Sequence, residues 1–240
     1  TSRVKEAVQV LQGHFVSKEA EYQKFCQIDI LENDRSGMIR RLQSYTERLT
    51  HIQFCTQVED IIKVGIARYK DKYSPGRIVD SPFVLYEKYS RRDVSLLMNC
   101  GKDLSSIMYG MKRIGDDVFI FITYHKEESQ DEKNYVDGKP DYADAFEDDL
   151  IFKWDSQIGK GLDSSYMKDV LEAERKHLFV KKSDAETSFY YMGQFDVLEA
   201  RNAQKEDNRG RMQPITKVIM KMHHAVREDL LRYLQSHITA

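Results

Sequence analysis

The chain has 240 residues, 41% hydrophobic and 32% charged, with 4 Pro and 12 Gly, which excludes collagenous, low-complexity and wholly disordered chains. Lys and Arg number 37 against 39 Asp and Glu, a net charge of −2, and nothing approaches the roughly 18 consecutive apolar residues of a membrane span. Cys26, Cys55 and Cys100 form no C-x-x-C pair, so structural zinc is not expected and a reducing, cytoplasmic setting is.

The chain starts at Thr1 without an initiator Met and is expected to be a piece of something longer. Residues 1 to 76 read as a helical linker or scaffold. Val4, Ala7, Val8 and Leu11 fall on one helix face, and Ser17 caps a second helix through Phe25. After the turn formers Asn33 to Gly37, Met38, Leu42, Tyr45 and Leu49 recur at helical spacing; a further helix runs from Val58 to about Tyr69, with Ile61, Ile62, Gly65 and Ile66 on one side. Ser74-Pro75-Gly76 ends it and marks a domain boundary.

From residue 77 to 240 the texture changes to β-branched and aromatic runs bounded by polar turns. Strands are expected at Val118–Tyr124, Leu150–Trp154, His177–Lys181 and Ser188–Gln194, with a bulge at Gly193. Two helices lie among them: Ser90 to Met98, with Val94, Leu97 and Met98 inward, and Ser164 to Arg175, with Met167, Val170 and Leu171 in register. Ile215, Val218, Ile219, Met222, Val226 and Leu230 predict one closing amphipathic helix carrying His223 and His224. Glu127 to Asp149 holds ten acidic and two basic residues and reads as a solvated excursion, leaving the rest of the chain net positive. The fold class expected is α+β: an N-terminal helical block, then a small, curved or barrel-like mixed sheet with flanking helices and a C-terminal helix.

Catalytic signatures are missing. Gly101-Lys102 is followed by Asp103, with no upstream Gly at phosphate-loop spacing. His125-Lys126 lacks the His-x-Lys spacing of a phospholipase D nuclease, and Leu150 to Lys153 offers no carboxylate for a two-metal nuclease. Adjacent His223 and His224 diverge on a helix and cannot share a metal. Cys100 has no obvious histidine partner. The chain by itself is therefore expected neither to hydrolyse ATP nor to cut DNA, and to need no metal or cofactor.

What remains is aromatic and polar chemistry at strand ends. Aromatic faces stack on extruded bases while neighbouring polar groups read the base edge. The pocket candidates are Tyr124, His125, Trp154, Asp155, Ser156, Gln157 and Tyr89; Arg91, Arg92, Lys112, Arg113 and Lys126 are candidate phosphate contacts.

Four segments carry a family resemblance: Leu85 to Val94, Phe121 to Lys126, Phe152 to Ser156, and Leu178 to Lys182 followed by Phe189 to Gly193. Together they resemble a C-terminal domain of unknown function found at the end of bacterial superfamily II helicases, often behind a phospholipase D type nuclease. Such proteins are similar to the SauUSI-type restriction enzymes, which use ATP to cleave DNA carrying 5-methylcytosine or 5-hydroxymethylcytosine. The resemblance implies a target-recognition domain with an SRA- or PUA-like fold that flips a modified base. It also implies double-stranded DNA and the helicase and nuclease domains of a parent chain as partners. A protein-interaction or homodimerisation module is the alternative, favoured by the near-neutral charge and the apolar helices.

Overall fold

The structure, a computed structural model, describes residues 7–8, 11, 30–33, 38–73, 81–100, 103–125, 135–136, 139–140, 144–207 and 209–236. Most of the first two expected helices and the breaker at Ser74 to Gly76 lie outside these residues. The chain divides into two compact units, Thr1–Val84 with Arg91–Ser106, and Leu85–Ser90 with Ile107–Ala240.

In the first unit β1 (Leu31–Asn33) pairs antiparallel with β2 (Ile39–Arg41). The turn formers at Asn33 to Gly37 thus join two strands, and the helix expected from Met38 begins later, as α1 (Gln43–Arg48). α2 (Ile52–Arg68) starts six residues before the expected Val58, because Gln53, Thr56 and Gln57 on its polar face mask its first turns in sequence. α3 (Arg91–Leu97) buries Val94 while Leu97 is exposed, so only part of its expected inward face points inward.

The second unit is built on one mixed, eight-stranded sheet. Its strands are β3 (Lys88–Tyr89), β4 (Met111–Ile114), β5 (Asp117–His125), β8 (Ala145–Phe146), β9 (Ile151–Asp155), β10 (Arg175–Ser183), β11 (Phe189–Glu206) and β12 (Met212–Met222), and the two-residue strands β6 (Tyr135–Val136) and β7 (Lys139–Pro140) pair separately. The order is β4-β5-β10-β11-β12-β9-β8, with β3 added beside β11. β5 and β10 are parallel and the other pairs antiparallel. Among the described residues β4 and β8 end the order without pairing with each other, so the sheet is open and not a closed barrel.

Sequence explains the central position of β5 and β10. Their apolar runs, Val118 to Ile122 and Leu178 to Val180, are continuous and buried on both faces, as parallel strands require. On one face Val118, Ile120, Ile122, Leu178 and Val180 pack with Trp154, Val218, Met220 and two helices, α4 (Ser165–Glu172) through Met167 and Val170, and α5 (Glu228–Gln235) through Leu230 and Leu234. On the other face Phe119, Phe121, Phe179, Phe189, Tyr89 and Tyr191 form a buried aromatic layer. Gly193 sits in the expected bulge, with φ 102° and a register shift that leaves Met192 the extra residue. That shift reverses the alternation and brings Phe195 onto the same face as Met192.

The closing helix expected over Ile215 to Leu230 is not one element. Met212–Met222 is a strand in which Thr216, Val218, Met220 and Met222 alternate inward. Ile215 and Ile219 occupy its other face, and apolar residues on both faces of a strand mimic the spacing of a helix stripe. The helix starts only at Glu228. His223 and His224 are therefore exposed in the bend between β12 and α5, where His223 Nε2 lies 3.1 Å from Asp196 Oδ2.

The acidic stretch is also not uniformly solvated. Phe146 is buried against Phe152, and buried Asp144 accepts the Asp155 N–H at 2.9 Å. Asp148 Oδ1 accepts the N–H groups of Leu150 and Ile151, so these carboxylates shape the entry into β9. Among the described residues no helix is long and apolar enough to cross a membrane.

Candidate functional site

The candidates chosen at strand ends mostly face inward. Trp154 is 5% exposed and belongs to the core, so its indole offers no open face to a base. Tyr124 is equally buried; desolvation raises its pKa, against hydrogen bonds to the Phe146 backbone and the Gln235 side chain. His125 Nε2 lies 2.7 Å from the Leu234 carbonyl and ties β5 to α5. Tyr89 packs edge-on against Phe179 in the aromatic layer.

Asp155 holds Lys217 at 3.7 Å. Ser156 Oγ accepts the Thr216 N–H at 2.8 Å and donates to the Lys160 carbonyl at 2.6 Å, and this pins the loop after β9 to β12. Of the pocket candidates only Gln157 has an exposed side chain.

The phosphate candidates are similarly engaged. Arg92 lies 4.0 Å from Asp103 in the first unit, which also holds Arg91. Arg113 donates to the Gly115 carbonyl at 3.1 Å and to Asp169 Oδ1 at 3.4 Å, clamping β4 to α4. Lys112 is half-buried on β4, opposite Phe119. Lys126 lies outside the described residues.

The loop of residues 156–162 nevertheless gathers an accessible cluster. Gln157 Nε2 lies 3.4 Å from the carbonyl of Tyr109, which is itself 65% exposed. Gly110, at φ +73°, lies directly beneath that amide: a Cβ there would stand 2.4 Å from Gln157 Nε2 and 3.2 Å from the Tyr166 hydroxyl. Tyr166 is held in the first turn of α4, where Ser164 Oγ caps the helix by accepting the Met167 N–H at 3.3 Å. Its ring lies 6.4 Å from that of Trp154, and Lys160 Nζ stands 5.7 Å from its centroid. The Tyr166 hydroxyl is buried and finds no hydrogen-bond partner among the described residues. Burial, with the Asp144 carboxylate adding to it, drives its pKa well above the ordinary tyrosine value.

The same loop braces a long arm. Gly159 N–H donates to the Pro214 carbonyl at 2.9 Å, and Leu162 N–H donates to Asn202 Oδ1 at 2.8 Å. Beyond Asn202 and Pro214, β11 and β12 pair only with each other. Register places Arg201 opposite Lys217 and Lys205 opposite Gln213, so three cations share one face of the hairpin. At the tip Asp207 Oδ1 accepts the N–H groups of Arg209 and Arg211 at 2.9 and 3.0 Å, and Oδ2 takes the Arg211 guanidinium. These bonds, led by the Arg211 N–H, hold the Asp207 carboxyl at about 2. The tip is thereby preformed, with Arg209 exposed and Met212 58% exposed beside it.

A second polar group lies at the parallel pair, with His177 and Asp117 buried. His177 Nε2 lies 2.9 Å from Asp117 Oδ1, and its Nδ1 lies 2.9 Å from the Tyr191 hydroxyl. Arg175 grips the same carboxylate through Nε and Nη2, each at 2.7 Å, and the Phe119 ring stacks on the imidazole at 4.9 Å. Sequence reading missed this network, although Asp117 and His177 begin two apolar runs that prove to be neighbours. His177 and Asp117 are buried while Arg175 reaches the surface, and together they brace the parallel pair. Among the described residues no group of three or more His, Cys, Asp or Glu is placed to hold a metal ion.

No curated protein matches the chain. Solved structures similar to it include the following three. The MspJI restriction endonuclease in complex with a 27-mer oligonucleotide matches at 10% identity and TM-score 0.32 over 52% of this chain and 40% of that one. The sulfur binding domain and SRA domain of ScoMcrA complexed with phosphorothioated DNA match at 11% identity and TM-score 0.33, over 64% and 45%. KRYPTONITE in complex with mCHG DNA and SAH matches at 12% identity and TM-score 0.30, over 69% and 38%. The chain thus spans less than half the length of each of these structures. The sequence resemblance to a C-terminal domain of unknown function has a direct counterpart: the family model described as Domain of unknown function (DUF3427) matches residues 83–234, and the chain belongs to that family.

Proposed function

We propose that this chain is the DNA-binding target-recognition domain of a modification-dependent restriction enzyme, reading 5-methylcytosine or 5-hydroxymethylcytosine in duplex DNA by flipping the base. Helicase and nuclease domains of a parent chain supply the ATP-driven cleavage. The observation that carries the reading is the β11–β12 hairpin, whose arm outruns the rest of the sheet with Arg201, Lys205, Arg209 and Arg211 exposed. Cations spaced along a rigid two-stranded arm suit phosphates and a groove. The loop that braces its base through Gly159 and Leu162 also carries Gln157, which lies beside Tyr109 and Gly110 near the Tyr166 hydroxyl, the polar and aromatic groups a displaced base needs. The net charge of −2 does not oppose this, because the stretch from Glu127 to Asp149 carries ten acidic residues against two basic ones and the rest of the chain is net positive.

The test is quantitative binding of the chain to duplexes of one sequence, with and without 5-methylcytosine, across a salt series. Burying one methyl group contributes about 1 kcal/mol, so a preference of about five- to tenfold is expected. Equal affinity for modified and unmodified duplexes at every salt concentration defeats the modification reading, and no affinity for either defeats the DNA reading.

The interaction-module alternative rests on a separate observation. On α2, Ile61, Ile62 and Ile66 are 72, 54 and 50% exposed. A stripe of that kind suits a helical partner, whether the parent chain or a second copy. Light scattering of the chain with Ile62→Asp distinguishes self-association, which this substitution abolishes, from an arm of the parent protein, where the chain is already a monomer.

A further inference from the structure

We propose that the Gln157 carboxamide is a displaceable plug, and that the extruded base takes its place over Gly110 and accepts a hydrogen bond from the Tyr166 hydroxyl. This rests on the DNA reading above and names the group that reads the base.

Tyr166 is a buried hydroxyl left without a partner among the described residues, an arrangement that costs stability and that a fold keeps where the group serves a ligand. Its ring cannot drift, because the Ser164 cap fixes its helix turn and Trp154 lies beneath it. The hydroxyl opens toward the space over Gly110, within 3.2 Å of where a Cβ would be, and the Gln157 amide fills that space at 2.4 Å. Only a residue without a Cβ lets the amide sit there. Gln157 is on the surface and is held to this spot by one long hydrogen bond, at 3.4 Å to the Tyr109 carbonyl. Swinging it into water therefore loses little and vacates a volume next to an unsatisfied donor.

The chemistry of the occupant follows. A tyrosine hydroxyl is protonated at neutral pH, and burial with the Asp144 carboxylate raises its pKa further, so it donates. The acceptor is then a neutral oxygen or ring nitrogen of the kind that the edge of a displaced base presents.

The experiment uses the whole chain, two duplexes that differ only in one 5-methylcytosine, fixed salt, and thermal melts. Tyr166→Phe deletes the hydroxyl and nothing else. It is expected to melt at or above the temperature of the parent chain while binding the modified duplex weaker by on the order of tenfold. Gln157→Ala is expected to bind the modified duplex at least as tightly as the parent. Unchanged binding by Tyr166→Phe overturns the proposal, as does a lowered melting temperature, which would give the hydroxyl a partner within the fold. Loss of modified-duplex binding in Gln157→Ala also overturns it, because the amide would then touch the base itself and not act as a plug. Failure of Tyr166→Phe alone leaves the DNA reading standing. If the parent chain binds neither duplex, the DNA reading fails and this proposal falls with it.

Discussion

His177 donates from Nε2 to Asp117 and accepts at Nδ1 from the Tyr191 hydroxyl, both at 2.9 Å, which fixes a neutral imidazole between two strands. The ionised Asp117 carboxylate only accepts, so Nε2 carries the proton, and with the ring neutral Nδ1 is the bare nitrogen that accepts from the tyrosine hydroxyl. Burial lowers the His177 pKa and outweighs the pull of the Asp117 carboxylate. Burial alone would raise Asp117, but its hydrogen bonds from His177 and Arg175 hold it at about 2.

The pH dependence of stability follows from these two shifts. The unfolded chain binds a proton at histidine near pH 6.5 that the folded chain refuses, so stability is full above about 6.5 and declines as pH falls below it. Asp117 adds a second decline, from about pH 4 toward 2, as its carboxylate is protonated first in the unfolded chain. Urea midpoints measured from pH 8 to 4 should show the first decline, and His177→Gln should flatten it. A flat profile for the parent chain would refute the assignment.

Removing the arm's outermost cations should act on all duplexes alike. Lys205→Ala with Arg209→Ala is expected to weaken modified and unmodified duplexes equally and to reduce the salt slope by about 0.9 for each phosphate that is no longer neutralised. Fluorescence anisotropy over a salt series reads both quantities. A change confined to the modified duplex would show that the arm reads sequence chemistry.

Trp154→Ala should behave as a core deletion. With the indole 5% exposed among Tyr166, Val218 and their neighbours, truncation is expected to destabilise the fold by about 3–5 kcal/mol. Chemical denaturation measures this directly. A stable variant that has lost DNA binding would return Trp154 to the binding surface.

Gly193→Ala places a Cβ at φ 102°, where the strain costs about 1 kcal/mol or more. The bulge also sets which residues of β11 face α4 and α5, so the variant should lose cooperativity as well as melting temperature. Calorimetry checks both, and an unaltered transition would mean that the bulge is not fixed by its glycine.

The strands of the centre were legible because Val118 to Ile122 and Leu178 to Val180 are apolar without interruption, a pattern a solvated helix does not show. The arm was not legible. Residues 198 to 206 lack an apolar alternation, and they are extended because β12 pairs with them and not by local preference. Met212 to Met222 misled for a related reason, its apolar residues lying on both faces of one strand. At the candidate site, Gln157 was readable as a polar residue after a strand, whereas Gly110 and Tyr166 meet it only through the fold, from sequence distances that no local pattern reports.

The parallel seam between β5 and β10 carries a kinetic consequence. β10, β11 and β12 are successive antiparallel neighbours, and β4 and β5 form a short hairpin, so both pieces close over small loops. Joining them requires Asp117 to find Arg175, 58 residues away. That closure is one of the long-range pairings, with β9 on β12 and β3 on β11, that are expected to limit the rate of folding. Substitutions along the seam, such as Ile122→Val, should then slow refolding in stopped-flow experiments, while those in the outer arm should leave the refolding rate unchanged and act on unfolding alone.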